Sequence, residues 1–265
     1  IWNIREDRQR NLWIHTREGI TRYSLEKEQF TKFLHDPKKP NSLPNNNVRF
    51  VFIDSLDNVW LSSTTELARY NQSENKFYIY KPDSLKQNSI SSLIINSVQP
   101  ASDGNIWFGT RNGLSFYNSK TNDFTVYRTS EKTNSLSDNR INSLFTDADG
   151  YLWIATNNGL NLYDNKKGTF ERFMNIPDSS TTIASNVVFS IFQDTTEMKH
   201  MWFSVQNGTC RFDKPTRKFT NFTIKFNNLT PSTPIIASSI IGGDNCLWLI
   251  TNTGVIKFDF ATENF

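Results

Sequence analysis

Guanidinium and amide groups recur near the tryptophans of this sequence, either four residues after a tryptophan or eleven to thirteen residues before one. The set comprises Arg17, Arg49, Arg111, Arg140, Asn157 and Gln206. Such groups form directional hydrogen bonds with hydroxyls and carboxylates, which is the chemistry of saccharide recognition. The four arginines favour an acidic saccharide. An ordinary role in solvated turns explains the same residues, so the two interpretations stand side by side.

Trp2 is a further candidate, because it lies eleven residues before Trp13, at the offset that Arg49 has from Trp60. An aromatic ring at this place can stack on the face of a sugar. The alternatives are a buried packing role and an interface with a missing blade. We therefore include Trp2 among the candidate ligand-binding residues.

The residues that general acid–base or nucleophilic catalysis needs do not converge in this sequence. His15, His35 and His200 occupy unrelated places in the repeats described below. Motifs of serine hydrolases, zinc proteases, phosphate-binding loops and dinucleotide-binding folds are absent, and the DADG segment is too short and too poor in carboxylates for a calcium loop. We expect neither enzyme activity, nor a metal site, nor a cofactor.

The elements that position these residues are set by a repeat of about 47 residues. Its anchors, the repeat tryptophans, are Trp13, Trp60, Trp107, Trp153, Trp202 and Trp248. Each stands in a similar segment, such as NIWFGTRNGLSFY or YLWIATNNGLNLY. In the first five units a pair of aromatic residues follows at a constant distance, and in the sixth Phe265 takes the first of these places. These tryptophans are expected to be structural.

Each unit contains four strand-like segments joined by turn sequences such as DADG, NNG and DNKKG. In the fourth unit we expect strands over residues 140–146, 151–156, 160–163 and 169–173. A meander of four strands leaves an aromatic face in water unless it stacks on another, and radial stacking of such sheets is a β-propeller. The predicted blades cover residues 1–36, 45–83, 92–130, 139–176, 186–224 and 235–265.

Residues 134–163, NSLSDNRINSLFTDADGYLWIATNNGLNLY, closely resemble the two-component regulator propeller repeat. The resemblance extends over almost the whole chain, with departures at Ser63 and Glu66 and in the fifth and sixth units. It implies a seven-bladed propeller of which six blades are visible. A ring of six blades, or a fragment that spans two propellers, are the alternatives.

The resemblance further implies a periplasmic sensor region of a hybrid two-component histidine kinase of the Bacteroidetes type. Its ligand would be an oligosaccharide, and its output the control of genes for glycan use. Adjoining propeller and β-sandwich domains and a homodimeric receptor are the implied partners. A propeller lyase and a protein-interaction scaffold are the competing functions.

Composition is consistent with a globular sensor domain. Hydrophobic residues make up 37% of the chain and aromatic residues 14%, which is enough for a packed core. Dispersed lysines and arginines with a net charge of +3 argue against nucleic-acid binding, and the sequence has no apolar run of membrane-spanning length. Cys210 and Cys246 lack the spacing of a zinc site and are expected to be unpaired.

Overall fold

The computed structural model describes all residues except 2, 17, 40, 84, 87, 195–197, 207, 225–236 and 244. Six antiparallel sheets follow one another along the chain, and the strands of each sheet are in sequence order. These sheets are β-propeller blades, as the sequence predicts. Two compact units can be separated, residues 1–110 with 114–126, and residues 111–113 with 127–265.

The first unit contains blades 1 and 2 and most of blade 3. Blade 1 consists of β1 (Asn3–Glu6), β2 (Asn11–Thr16), β3 (Gly19–Ser24) and β4 (Gln29–Phe33). Blade 2 consists of β5 (Phe50–Ile53), β6 (Val59–Ser62), β7 (Leu67–Asn71) and β8 (Lys76–Tyr80). Blade 3 consists of β9 (Ile95–Pro100), β10 (Ile106–Thr110), β11 (Gly113–Asn118) and β12 (Asp123–Tyr127).

The second unit contains blades 4 to 6. Blade 4 consists of β13 (Ile141–Thr146), β14 (Leu152–Thr156), β15 (Leu160–Asp164) and β16 (Thr169–Phe173). Blade 5 consists of β17 (Val188–Gln193), β18 (His200–Val205), β19 (Gly208–Asp213) and β20 (Lys218–Thr223). Blade 6 consists of β21 (Ala237–Gly243), β22 (Cys246–Thr251) and β23 (Gly254–Asp259).

The turn sequences place the strands of blade 4 within one residue of their predicted bounds. In blade 6 the structure describes three strands. At the predicted fourth strand it has an isolated bridge between Asp259 and Asn264.

The core lies between neighbouring blades of each unit, where a repeat tryptophan packs against an aromatic residue on the third strand of the next blade. Ring centroids are 5.8 Å apart for Trp13 and Tyr70 and 4.7 Å apart for Trp60 and Tyr117. In the second unit, Trp153 packs in this way on Phe212 at 5.3 Å. Burial of one such ring contributes about 4–6 kcal/mol before conformational entropy is subtracted.

Trp248 on β22 departs from this pattern. It is 41% exposed, whereas the other five repeat tryptophans are at most 3% exposed. Ile250 and Val255 beside it on blade 6 are exposed as well. Among the described residues, no neighbouring blade covers Trp248 as it does the other repeat tryptophans.

An aspartate six residues before the tryptophan fixes the first hairpin in blades 1, 2 and 4. The carboxylates of Asp7, Asp54 and Asp147 accept a hydrogen bond from the indole N–H of their tryptophan at 2.8–2.9 Å. Burial acts to raise the pKa of Asp7, but the Trp13 indole and the Asn11 amides that donate to it prevail and hold that pKa below its usual value. The turn carboxylate and the core tryptophan thus form one structural element.

Replacing Asp54 by Ala should destabilise the chain, because the Trp60 indole N–H and the Asn58 amides would lose their buried acceptor. We expect the free energy of unfolding to fall by about 2 kcal/mol in urea titrations. Glu131→Ala is the control, since Glu131 is an exposed acidic residue in a loop. Equal losses in both variants would contradict a special role for the aspartate–indole bond.

His15 on β2 is buried, and its Nε2 lies 2.7 Å from the Val48 carbonyl oxygen. Burial lowers the pKa of His15 below its ordinary value of 6.5. The unfolded chain therefore takes up a proton at a higher pH than the folded chain does. The resulting contribution of His15 to stability is complete well above pH 6.5 and is lost as the pH falls below it.

His15→Ser should reduce the loss of stability between pH 7.5 and pH 5.5 by about 1 kcal/mol. Serine fits this place, because Ser62 and Ser204 lie buried at the same register of blades 2 and 5. Urea unfolding at the two pH values measures the difference, with a variant of exposed His35 as the background. An unchanged pH dependence would exclude His15 as its source.

Candidate functional site

The candidate site residues that the structure describes lie at one end of the blades. In each blade this end, here called the loop end, carries the turn between the second and third strands and the loop that leads into the first strand. The opposite end, here called the hairpin end, carries the turns between strands one and two and between strands three and four. An antiparallel meander separates the two sets of turns by the length of a strand.

A threonine or serine side chain closes the turn at the loop end. The Thr156 hydroxyl donates to the Gly159 carbonyl at 2.6 Å and accepts the Asn158 amide at 3.2 Å. Ser63 forms the corresponding bond to the Glu66 carbonyl at 3.1 Å, so the departure from the repeat pattern in blade 2 keeps the turn closed. The residue four places after the tryptophan is thereby held at a fixed point of the loop end.

The loops into the next blade are fixed by the serine and leucine of the NSL sequence. In the loop before blade 2, the Ser42 hydroxyl donates to the Asp36 carbonyl at 2.8 Å and accepts the Asp36 amide at 3.0 Å. Ser89 makes the same pair of bonds with Asp83. Leu43, next to Ser42, is 1% exposed and belongs to the core of blades 1 and 2. The NSL sequence thus has a structural role.

Hydrogen bonds in the second unit join the turns to these loops. The Asn157 amide donates to the Arg140 carbonyl at 3.1 Å, and the Gly113 amide donates to the Asn139 carbonyl at 2.7 Å. Arg111 and Arg140 therefore lie on two backbone segments that the Gly113–Asn139 hydrogen bond joins. Arg111, Arg140 and Asn157 thus lie at the loop end, on backbone segments that these hydrogen bonds join.

The side chains of these candidates differ in exposure. Arg49, Arg111 and Arg140 are exposed, whereas Asn157 and Gln206 are half-buried. Arg49 belongs to the first unit, where its amide donates to the Ser62 carbonyl at 2.8 Å. Arg17 and Trp2 lie outside the described residues. Exposed guanidinium groups on a fixed backbone are suited to contact a charged ligand.

Asn142 has a role that the sequence interpretation missed. It is the extra residue of a β-bulge in β13, between Ile141 and Ser143. Its Nδ2 donates to the Asn157 side-chain oxygen at 2.9 Å and to the Val188 carbonyl at 2.8 Å. Asn142 thereby connects the candidate turn of blade 4 to the first strand of blade 5. The interruption of strand alternation at an asparagine is the signal that could have identified it.

The three histidines each contact a different group, and His35 in the loop before blade 2 has its Nδ1 2.9 Å from the Leu43 carbonyl oxygen. Buried His15 has its Nε2 on a backbone carbonyl, and His200 lies 3.5 Å from Asp213 at the hairpin end of blade 5. Burial raises the pKa of the Cys210 thiol to about 12. The Cys210 sulfur accepts a hydrogen bond from the amide of Ala184, in the loop before blade 5. Cys210 and Cys246 are both buried and unpaired. The described residues hold no cluster of metal-ligating side chains.

The sequence model of the two-component regulator propeller family matches residues 85–112 and 135–158. Each matched segment runs from the serine-containing loop to the turn after the second strand. The segments therefore contain Arg111 in one case and Arg140 and Asn157 in the other. No curated protein sequence matches the chain significantly.

Solved structures with a similar fold include the extracellular domain of a hybrid two-component system of Bacteroides thetaiotaomicron. The alignment covers 98% of this chain and 42% of that domain, with 22% identity and a TM-score of 0.51. A second such extracellular domain, described as a one-component system, gives 100% and 36% coverage, 25% identity and a TM-score of 0.53. The chain thus spans about two fifths of the length of these domains.

Virginiamycin B lyase from Staphylococcus aureus has a similar fold too. The alignment covers 97% of this chain and 83% of the lyase, with 16% identity and a TM-score of 0.57. Identity at this level shows a shared architecture and does not extend to the reaction. Among the described residues of the present chain, no helix is long and apolar enough to cross a bilayer.

Gly159→Ala should disturb the candidate turn. Gly159 has a φ of +108°, and an added Cβ would lie 2.9 Å from the Ser137 Oγ and 2.5 Å from the Met174 Sδ. Gly150→Ala is the control, since Gly150 also has a positive φ but open space around it. We expect the free energy of unfolding to fall by roughly 1 kcal/mol more for Gly159→Ala, measured by tryptophan fluorescence in urea. Equal effects would show that backbone conformation alone matters.

Proposed function

Since the chain carries two-component regulator propeller repeats, we propose that it belongs to the extracytoplasmic sensor region of a hybrid two-component regulator. In this proposal the propeller recognises an oligosaccharide in the periplasm, and the regulator controls genes for glycan use. The observation that carries the proposal is the match of the family to two separate repeats. The similar fold of B. thetaiotaomicron extracellular domains over nearly the whole chain supports it.

The loop end is the proposed ligand-binding surface. Exposed Arg111 and Arg140 lie on backbone segments joined by hydrogen bonds, and Asn157 is held beside them by Asn142. Guanidinium groups bind carboxylates and sulfates through charge-assisted hydrogen bonds. The expected ligand at this surface is therefore an acidic oligosaccharide.

A catalytic function is less well supported than sensing. A propeller lyase needs a general base at the reacting bond. His15 is buried with its Nε2 on the Val48 carbonyl, and His200 lies at the hairpin end. His35 lies in the loop before blade 2, with its Nδ1 2.9 Å from the Leu43 carbonyl oxygen. The proposed partners are adjoining propeller and β-sandwich domains and a second copy of the receptor, which would carry the signal to a kinase domain.

Thermal unfolding of the intact extracytoplasmic region in the presence of acidic and neutral glycan fragments tests the proposal. A ligand that binds only the folded state raises the melting temperature, by an amount that grows with its concentration above Kd. A reproducible rise with one glycan class supports a sensor. Turnover of a fragment would favour the lyase, and the absence of any shift across the panel would favour a protein-interaction scaffold.

Arg111→Ala with Arg140→Ala should weaken binding of an acidic oligosaccharide by 10-fold or more, because each lost charge-assisted bond costs roughly 1.5 kcal/mol or more. Folding stability should change by less than about 0.5 kcal/mol, since both side chains are exposed. Titration calorimetry measures the affinity. Arg8→Ala, at the hairpin end of blade 1, is the matched control. Undiminished binding by the double variant would exclude the loop-end arginines as ligand contacts.

A further inference from the structure

A cavity of about 360 Å³ lies between blades 4 and 5 at their hairpin end. Trp153 and Leu162 of blade 4 and Phe212 of blade 5 form its apolar wall. Tyr151, which is 38% exposed, also lines the cavity. The cavity is separate from the loop-end residues discussed above, because it lies at the other end of the strands.

At this cavity blade 4 lacks an arginine that blades 1, 2 and 5 have. In blades 1, 2 and 5, the residue paired with the tryptophan on the third strand is arginine. The guanidinium carbons of Arg22, Arg69 and Arg211 lie 5.6–5.9 Å from the centres of their tryptophan rings. Leu162 occupies this register opposite Trp153. The shorter side chain leaves open the space that an arginine fills elsewhere in the same chain.

A guanidinium from the neighbouring blade lines part of this space. Arg217 of blade 5 lies 5.6 Å from the ring centre of Phe173 and 5.9 Å from that of Phe212. It also forms an ion pair with Glu171 of blade 4. Arg217 therefore reaches from blade 5 to blade 4 and lines one side of the cavity.

The charges around the cavity are paired with one another. Lys214 Nζ lies 2.7 Å from Asp149 and 3.3 Å from Asp147, and Lys167 Nζ lies 3.4 Å from Asp164. The Asp147 carboxylate is 1% exposed, and Lys214 is 16% exposed. Entry of a strongly charged ligand would disrupt an ion pair in a partly desolvated place. The hydroxyl groups of a neutral ligand, in contrast, can form hydrogen bonds with these carboxylates and ammonium groups while the ion pairs stay intact.

Hydrogen bonds hold the polar wall in position before a ligand arrives. Asp147 accepts the Trp153 indole N–H at 2.9 Å and the Tyr151 amide at 3.0 Å. Its position in turn locates the Lys214 ammonium. A small site with an apolar face and preorganised hydrogen-bonding groups on the other side matches a sugar ring, which has a C–H face and hydroxyls at its edge.

We propose that this cavity binds a neutral saccharide unit, as a second site distinct from the loop end. The choice of saccharides as the ligand class rests on the proposed function. The location of the site and its preference for a neutral ligand rest on the cavity. The C–H face of the sugar packs on Leu162, Phe212 and Tyr151. Its hydroxyls bond to the Lys214–Asp149 and Arg217–Glu171 pairs.

Leu162→Arg tests the cavity with a residue that the same register holds in three other blades, so the fold can accommodate it. Leu162→Met is the control, because it keeps an apolar side chain of similar size. Lys214→Gln is a second test, since Gln72 occupies the corresponding place in blade 2 and donates to Asp7 at 3.2 Å. The probes are maltose, cellobiose and lactose, titrated calorimetrically against the intact extracytoplasmic region.

We expect the parent chain and Leu162→Met to bind at least one of these disaccharides, Leu162→Arg to bind it at least 10-fold more weakly, and Lys214→Gln several-fold more weakly. Equal affinity in Leu162→Arg would overturn the cavity site while leaving the sensor function intact. Binding of acidic oligosaccharides alone would do the same. If Leu162→Arg does not fold, Lys214→Gln decides, and unchanged affinity in that variant overturns the inference.

Discussion

The contact between a repeat tryptophan and an aromatic ring of the next blade is the interaction on which the rest of the structure depends. A four-stranded meander on its own would leave the aromatic face of its tryptophan without burial. Rings such as Trp60 and Tyr117, at 4.7 Å, supply that burial only when two blades are present. Within each unit, blade stability is therefore a property of neighbouring pairs, as in other repeat proteins.

Polar groups make this apolar packing specific. The aspartates that accept the indole N–H fix the tryptophan orientation and close the first hairpin together. Blade 5 shows the effect of irregular sequence, because the Trp202 indole N–H has no acceptor among the described residues. Extra residues in this unit shift the place where the aspartate would stand, and residues 195–197 lie outside the described part of the chain.

The fold could be predicted from sequence because the signals are local and repeated. Tryptophan spacing identified the blades, and turns such as NNG located the strands of blade 4. The cavity between blades 4 and 5 could not be predicted in this way. It depends on Leu162 where arginine stands in other blades, and on Arg217 reaching across from a different blade. The missing arginine at position 162 can be recognised only when the residue paired with Trp153 and the side chains of blade 5 are known. The loop-end site stays a prediction.

The blade that supplies the arginine differs between repeats, and this limits how the blades can be rearranged. In blades 1 and 5 the arginine that lies over the tryptophan belongs to the same blade. In blade 4 the cation over Phe173 comes from blade 5. Duplication or transplantation of blade 4 alone would therefore remove that cation from Phe173 and Glu171. Blades 4 and 5 must therefore be moved together if the contacts of Arg217 with Phe173 and Glu171 are to be retained.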